Sequence, residues 1–292
     1  MNFYKSLVRD VLDMGQPKKD RTSVGTISLF GYQYQHDLRT GFPLLTTKKV
    51  HFRSVVEELL WFLTGSTNIR PLLLNKTTIW SEWPHKKYVE KTGCDISLKD
   101  FERQIVEDMG FANAHGDLGP VYGKQWRRWS GNTGQEIDQL SDVIHQLRHS
   151  PTSRRIIMTG WNPSDLPNQL LPPCHTLYQW GSDGKFLDVH LYQRSADVGL
   201  GLPFNLASVA LLTSMIALVT NLEPRRVIHS FGDLHIYENH RSALEEQILR
   251  EPQPLPRLHL SSHVTEIDGF TREDIELEGY NPAPSIKMNV AV

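Results

Sequence analysis

The chain has 292 residues, 39% of them hydrophobic and 22% charged, with a formal net charge of −2. That is enough for one large core or at most two domains, and the charge balance excludes an overall attraction to DNA or to an anionic membrane. Cys94 and Cys174 lie far apart, which excludes a disulfide framework and points to a reducing, cytoplasmic compartment.

Lys5, Arg9 and Asp10 break the apolar N-terminal pattern, so no signal peptide is expected. Phe3, Leu7, Val8, Val11 and Leu12 share one face of a helix over 3–14, stopped by Gly15 and Pro17. Ile27, Leu29, Tyr32 and Tyr34 alternate about Gly31 and predict a strand bent or bulged at the glycine. Residues 52–63 form a helix so apolar that it must be buried, although it carries Glu57 and Glu58. Residues 85–115 turn polar, hold Cys94 and show one weak helical period at 98–109; they read as a small peripheral insertion. An amphipathic helix over 137–147 ends at Pro151. A strand over 154–161 is opened by Arg154 and Arg155, and strands over 175–180 and 186–194 are joined across the Asp183-Gly184 turn. The most hydrophobic stretch, 206–222, is interrupted by Ser208, Thr213, Ser214 and Thr220, so a buried core helix is expected rather than a membrane span. A strand over 227–235 and a helix over 237–249 follow. Strands and helices mix without strict βαβ alternation, which predicts a single α+β domain over 1–292.

Four features can carry chemistry. Cys174-His175 follows two prolines that fix the approach to the sulfur, and a free thiol needs nearby positive charge or a base to act as nucleophile. Taken alone, such a pair is more often a buried structural cysteine. Arg21, Arg154, Arg155 and Arg194, the last followed by Ser195, suggest an oxyanion site, although paired arginines ordinarily sit on solvated surface. Glu57 or Glu58 should face the core, where a carboxylate is costly unless used or paired. Asn205 stands near the start of the long helix, where it either caps the helix or reads a ligand; its amide donates and accepts at once, matching O4 and N3–H of uracil. The sequence has no glycine-rich phosphate loop, no nucleotide-cofactor fingerprint and no zinc-type spacing, so no metal is expected.

The order of motifs is more specific than any one of them. Asp20-Arg21-Thr22, Phe42-Pro-Leu-Leu-Thr-Thr-Lys48, Glu58-Leu-Leu-Trp-Phe-Leu and Ile79-Trp80 come first. Gly116-Asp-Leu-Gly-Pro-Val-Tyr122-Gly, Ser153-Arg-Arg-Ile-Ile, Leu171-Pro-Pro-Cys174-His175 and Tyr192-Gln-Arg-Ser-Ala-Asp197 follow. Gly201-Leu-Pro-Phe-Asn205, Gly232-Asp-Leu-His235-Ile-Tyr237 and a C-terminal Val290-Ala-Val292 complete the series. Over nearly its whole length the chain resembles the folate-dependent, cysteine-nucleophile thymidylate synthase family, which also includes pyrimidine-nucleotide hydroxymethylases.

The resemblance implies a large bent mixed sheet packed against helices and an obligate homodimer through the sheet. It implies reductive methylation of dUMP to dTMP by 5,10-methylenetetrahydrofolate, through a covalent bond from Cys174 to C6. Arg21, Arg194 and Ser195 are implied to hold the phosphate, with Arg154 and Arg155 arriving from the other subunit. Asn205 is implied to read the base, and His235 and Tyr237 the 3′-hydroxyl. Glu58 and Tyr122 are implied to serve proton transfer. Asp197, Lys48, Trp80, Leu171 and Val292 are implied to bind the folate, Asp197 at its pterin and Lys48 toward its glutamate tail. His175 joins the catalytic set as the neighbour of Cys174. Ser23-Val24, Ser81, Gly160 and Gln179-Trp-Gly181 depart from the usual pattern. Because Ser81 and Gly160 could admit water, the alternative within the family is a dUMP 5-hydroxymethylase.

Overall fold

The computed structural model describes residues 2–19, 23–131 and 133–290. Its first helix, α1 (Asn2–Met14), buries Tyr4, Leu7, Val8 and Val11 and leads into the short edge strand β1 (Gln16–Lys18). Strand β2 (Thr26–Asp37) follows. Gly31 has φ +80 within it and is skipped by the ladder to β8; the register is the same on both sides, but the alternation of buried residues changes phase there.

Helix α2 (Phe52–Leu63) spans the predicted residues, buries eight of them, and ends before Gly65 at φ +72. After α3 (Arg70–Leu74) the structure departs from the single weak helix expected in 85–115. It holds α4 (Glu82–Thr92), α5 (Leu98–Glu107) and α6 (Met109–His115). Ser97 and Asp108 cap the last two by accepting from Asp100 and Phe111 backbone N–H groups. Phe101, Ile105 and Ala112 are fully buried, and Arg70 ties the insertion down by donating to the Ile105 and Val106 carbonyls.

Helix α7 (Tyr122–Arg127), a minor hairpin of β3 (Trp129–Ser130) and β4 (Glu136–Ile137), and α8 (Gln139–His149) precede the main sheet strands. The strand expected over 154–161 is only β5 (Ile157–Thr159), so Arg154 and Arg155 stand ahead of it, exposed. Strands β6 (His175–Ser182) and β7 (Phe186–Asp197) pair across the predicted turn, where Gly184 has φ +91. Next come α9 (Gly201–Val219), β8 (Glu223–Tyr237), α10 (Arg241–Leu249) and a hairpin of β9 (Arg257–Leu260) and β10 (Ile275–Glu278).

The six-stranded sheet runs β1-β2-β8-β7-β6-β5, antiparallel except for the parallel pair β7 and β8 joined through α9. Helix α9 is long and apolar enough to cross a membrane, but most of it is buried in the core. Its Thr213 and Ser214 hydroxyls donate back to the Val209 and Ala210 carbonyls, which is how an apolar core tolerates them. One sheet face, with Leu187, Val189, Leu191, Val227 and Phe231, packs inward. The other is left uncovered by the described residues and exposes Phe30, Ile157 and Tyr192. The carboxyl ends of β7 and β8 meet the start of α9 at one end of the sheet, where crossover folds usually hold ligands.

Candidate active site

Cys174 immediately precedes β6, half-buried at that end of the sheet. The Arg194 backbone N–H on β7 donates to the Cys174 carbonyl at 2.9 Å. Its guanidinium donates to the Pro173 and Pro172 carbonyls at 2.8 and 2.7 Å and stands 3.9 Å from Cys174 Sγ. The Trp161 ring lies beneath it, 5.5 Å away. On the opposite side, Tyr122 Oη accepts from the backbone N–H groups of Cys174 and His175 at 2.6 and 3.2 Å. The two prolines free their carbonyls for Arg194, and the two amides fix the loop on Tyr122.

Burial pushes the Cys174 thiol up, and Arg194 pulls it down by less, leaving it above its ordinary value. Among the described residues of one chain, the Arg194 guanidinium alone does not offset the effect of burial. His175 adds no charge: burial lowers it to about 4, its Nδ1 pairs with Tyr178 Oη at 2.8 Å, and its buried Nε2 has no partner among the described residues. Arg194→Ala should therefore move alkylation of Cys174 by iodoacetamide to higher pH, whereas His175→Gln should leave the profile in place. Rates measured from pH 6 to 10 check this; equal profiles in all three proteins count against a role for Arg194.

Glu57 and Glu58 are both withdrawn from water but differ in use. Glu57 is flanked by Arg53 and Arg272 at 3.7 and 3.8 Å, a structural pairing. Glu58 accepts one hydrogen bond, 2.7 Å from Trp80 Nε1–H, and burial raises it to about 7 against that bond. Its charge reaches Tyr122, which burial also holds above its ordinary value. Trp80 lies 6.4 Å from the Tyr122 ring, so Glu58, Trp80, Tyr122 and Cys174 form one continuous wall. Trp83, Leu170, Leu171 and Pro172 line an adjoining groove with Lys86 and Lys87.

Asn205 does not cap α9. The helix has no side-chain cap at its N-cap, Leu200; the Asp197 carboxylate instead fixes the turn that leads into it, accepting from the backbone N–H groups of Gly199, Leu200 and Gly201. Burial raises the Asp197 carboxyl, but His240, with Nδ1 3.5 Å away, and the Gly199 amide bring it below its usual value. Asn205 lies in the second turn, with Oδ1 accepting from Gln193 Nε2–H at 2.9 Å. Ser195 pairs in register with Asp233, and Asp233 accepts from Ser28 Oγ–H and pairs with His235 Nδ1 at 2.9 Å. Tyr237 packs edge-on to His235. Lys48 is buried; desolvation lowers it to about 8, and its Nζ donates to the Gly199 carbonyl at 2.5 Å. Met288 reaches the same spot, and Asn289 accepts from His240 Nε2–H, so the C-terminal segment lies over Asp197 and Lys48.

Arg21 and Val292 lie outside the described residues. Arg154 and Arg155 are exposed, and Arg154 borders a depression with Gly181 and His190 on the uncovered sheet face. Among the departures, a Cβ on Gly160 would meet the His175 carbonyl oxygen at 3.0 Å and Tyr122 at 3.6 Å, so the glycine lets the cysteine loop sit close to Tyr122. Ser81 is buried with its Oγ unpartnered among the described residues. Sequence reasoning missed Gln193, His229, Asp233 and His240. Gln193 and His229 occupy inward positions of otherwise apolar strands, and a polar residue in such a place is the signal that could have found them.

Residues 2–292 match the family model described as thymidylate synthase. The chain is 47% identical over 315 aligned positions to proteins named thymidylate synthase from Listeria monocytogenes serotype 4a (strain HCC23) and from Listeria innocua serovar 6a, covering 100% of each chain.

Proposed function

Because the chain belongs to the thymidylate synthase family and converts dUMP to dTMP, we propose that Cys174 is its nucleophile and 5,10-methylenetetrahydrofolate its carbon and hydride donor. The observation that carries this is the seat of Cys174, its backbone held by Tyr122 and its Sγ beside Arg194, at the end of the sheet that carries Ser195 and meets Asn205 of α9 through Gln193. A dianionic phosphate at Arg194, Ser195 and Arg21 places the base over Cys174, and the thiolate adds to C6. Asn205 matches O4 and N3–H, and His235 with Tyr237 takes the 3′-hydroxyl. Tyr122 assists loss of the C5 proton while Glu58, poised near neutrality, moves protons at the base and cosubstrate.

The cleft suits a folate. Trp83 and Leu171, with Trp80 packed against Trp83, offer apolar surface to a flat ring, Asp197 offers an ionised acceptor to pterin N–H groups, and Lys86 and Lys87 line the same groove with Glu90. When bound, the folate supplies the one-carbon unit and the hydride. Lys48 and Val292 close the cofactor side, and exclusion of water there favours hydride over hydration. Incubation with dUMP and methylenetetrahydrofolate should yield dihydrofolate with dTMP. Recovery of tetrahydrofolate with hydroxymethyl-dUMP would refute hydride transfer.

The whole of 1–292 serves as one catalytic domain, with 85–115 peripheral to it, in the cytoplasm, where the free Cys94 and Cys174 suit a reducing medium. Two copies pair through the uncovered sheet face, so that Arg154 and Arg155 reach the neighbour's phosphate. Arg155→Glu and Cys174→Ser proteins, each inactive, should regain activity when mixed and allowed to exchange subunits. One site of the mixed dimer then has both an intact cysteine and intact arginines. Absence of recovery, with exchange demonstrated, would refute the shared site.

A further inference from the structure

An asparagine amide can turn over, and a freely turning amide cannot tell uracil from cytosine. Uracil offers O4 as acceptor and N3–H as donor; cytosine offers an amino donor and a bare N3, which suit the opposite orientation. Something beyond Asn205 must fix which way it faces.

The bonding inside the sheet fixes it from a backbone atom. The Ser195 carbonyl can only accept, and Gln193 stands on it at 2.8 Å, so the Gln193 atom there must be Nε2. The second hydrogen of Nε2 goes to Asn205 at 2.9 Å, so the Asn205 atom there must be Oδ1. Turning Asn205 over would set amide donor against amide donor. Gln193 Oε1 is thereby turned to His229 Nε2, 2.8 Å away, which must carry a hydrogen. His229 is fully buried, packed between Tyr34 and Phe231, and burial holds it far below its ordinary value. Nδ1, with no partner among the described residues, is then the bare nitrogen of a neutral ring.

We propose that His229 is a positioning residue that acts through Gln193 to lock the Asn205 amide in the orientation that accepts uracil and refuses cytosine. The proposal rests on the assignment of Asn205 to the base. Without the histidine donor, Gln193 Oε1 is left buried and unpaired. With that oxygen unpaired, the glutamine side chain is no longer held at both ends, and when Nε2 draws away from Asn205 while staying on the Ser195 carbonyl, the Asn205 amide can turn.

Dissociation constants of dUMP and dCMP, measured for the unaltered protein and for His229→Leu, His229→Gln and Asn205→Asp, test this. His229→Leu should lower the preference for dUMP over dCMP by roughly tenfold. His229→Gln, whose amide N–H reaches where Nε2 stands, should restore it. An unchanged preference in His229→Leu alongside a shifted one in Asn205→Asp overturns the relay alone. An unchanged preference in Asn205→Asp overturns the base assignment, and equal loss in both His229 variants shows a merely structural role. Should His229→Leu not fold, nitrogen-15 NMR of the unaltered protein decides: a neutral Nε2–H ring that does not titrate between pH 6 and 8 supports the relay, and an Nδ1–H ring overturns it.

Discussion

Replacing Cys174 with serine is expected to lower dTMP formation by roughly 10⁴-fold or more, with dUMP binding within about threefold of the unaltered protein. A serine hydroxyl is a usable nucleophile only beside a base that takes its proton, and none is in place. His175 is neutral above about pH 4 but committed to Tyr178, and Tyr122 holds its proton and spends its oxygen on two backbone amides. Arg194, 3.9 Å from Sγ, favours an anion, which a thiol gives up far more readily than a hydroxyl even where burial opposes it. The loop itself depends on the Pro172 and Pro173 carbonyls and on backbone N–H groups, not on sulfur, so the phosphate and base contacts survive. Single-turnover product formation with equilibrium dialysis of dUMP separates the two effects. A serine variant retaining more than about 1% of the rate would sink the nucleophile assignment.

How far the sequence could be read follows from where each feature takes its cause. Helix α2 was legible because its apolar run and its stop at Gly65 are local, and so was the β6–β7 turn at Gly184. The three helices of the insertion were not. They are short and hold together through rings, Tyr88 on Phe101 and Phe111 on both, rather than through one long periodic face. Their caps at Ser97 and Asp108 were the local signal available. In the site, residue types named the candidates, but their partners are distant in sequence. Glu58 meets Trp80 across 22 residues, and Cys174 meets Tyr122 across 52. Asn205 is left uncommitted to the helix start because the turn before α9 is held from the strand end, where Asp197 folds back onto three amides.

The second large effect is expected at Glu58. Glu58→Gln should lower kcat by roughly 10²- to 10³-fold and remove from the pH dependence of kcat the limb near 7, leaving KM for dUMP nearly unchanged. A glutamine keeps the shape and can accept from Trp80 Nε1–H, but it can neither give nor take a proton. The same group sets a stability signature of fixed sign. Burial raises its folded value to about 7 from an ordinary 4.5, so its favourable contribution is complete below about pH 4.5 and is lost as pH rises through 7. Glu58→Gln, uncharged throughout, should therefore match the parent in thermal midpoint at pH 4.5 and exceed it at pH 8. Trp80→Phe should act the other way on titration: the hydrogen bond it removes favours the carboxylate, so the limb should move above 7. A limb that stays at 7 in Glu58→Gln would assign it to another group and leave Glu58 a buried carboxylate without a task.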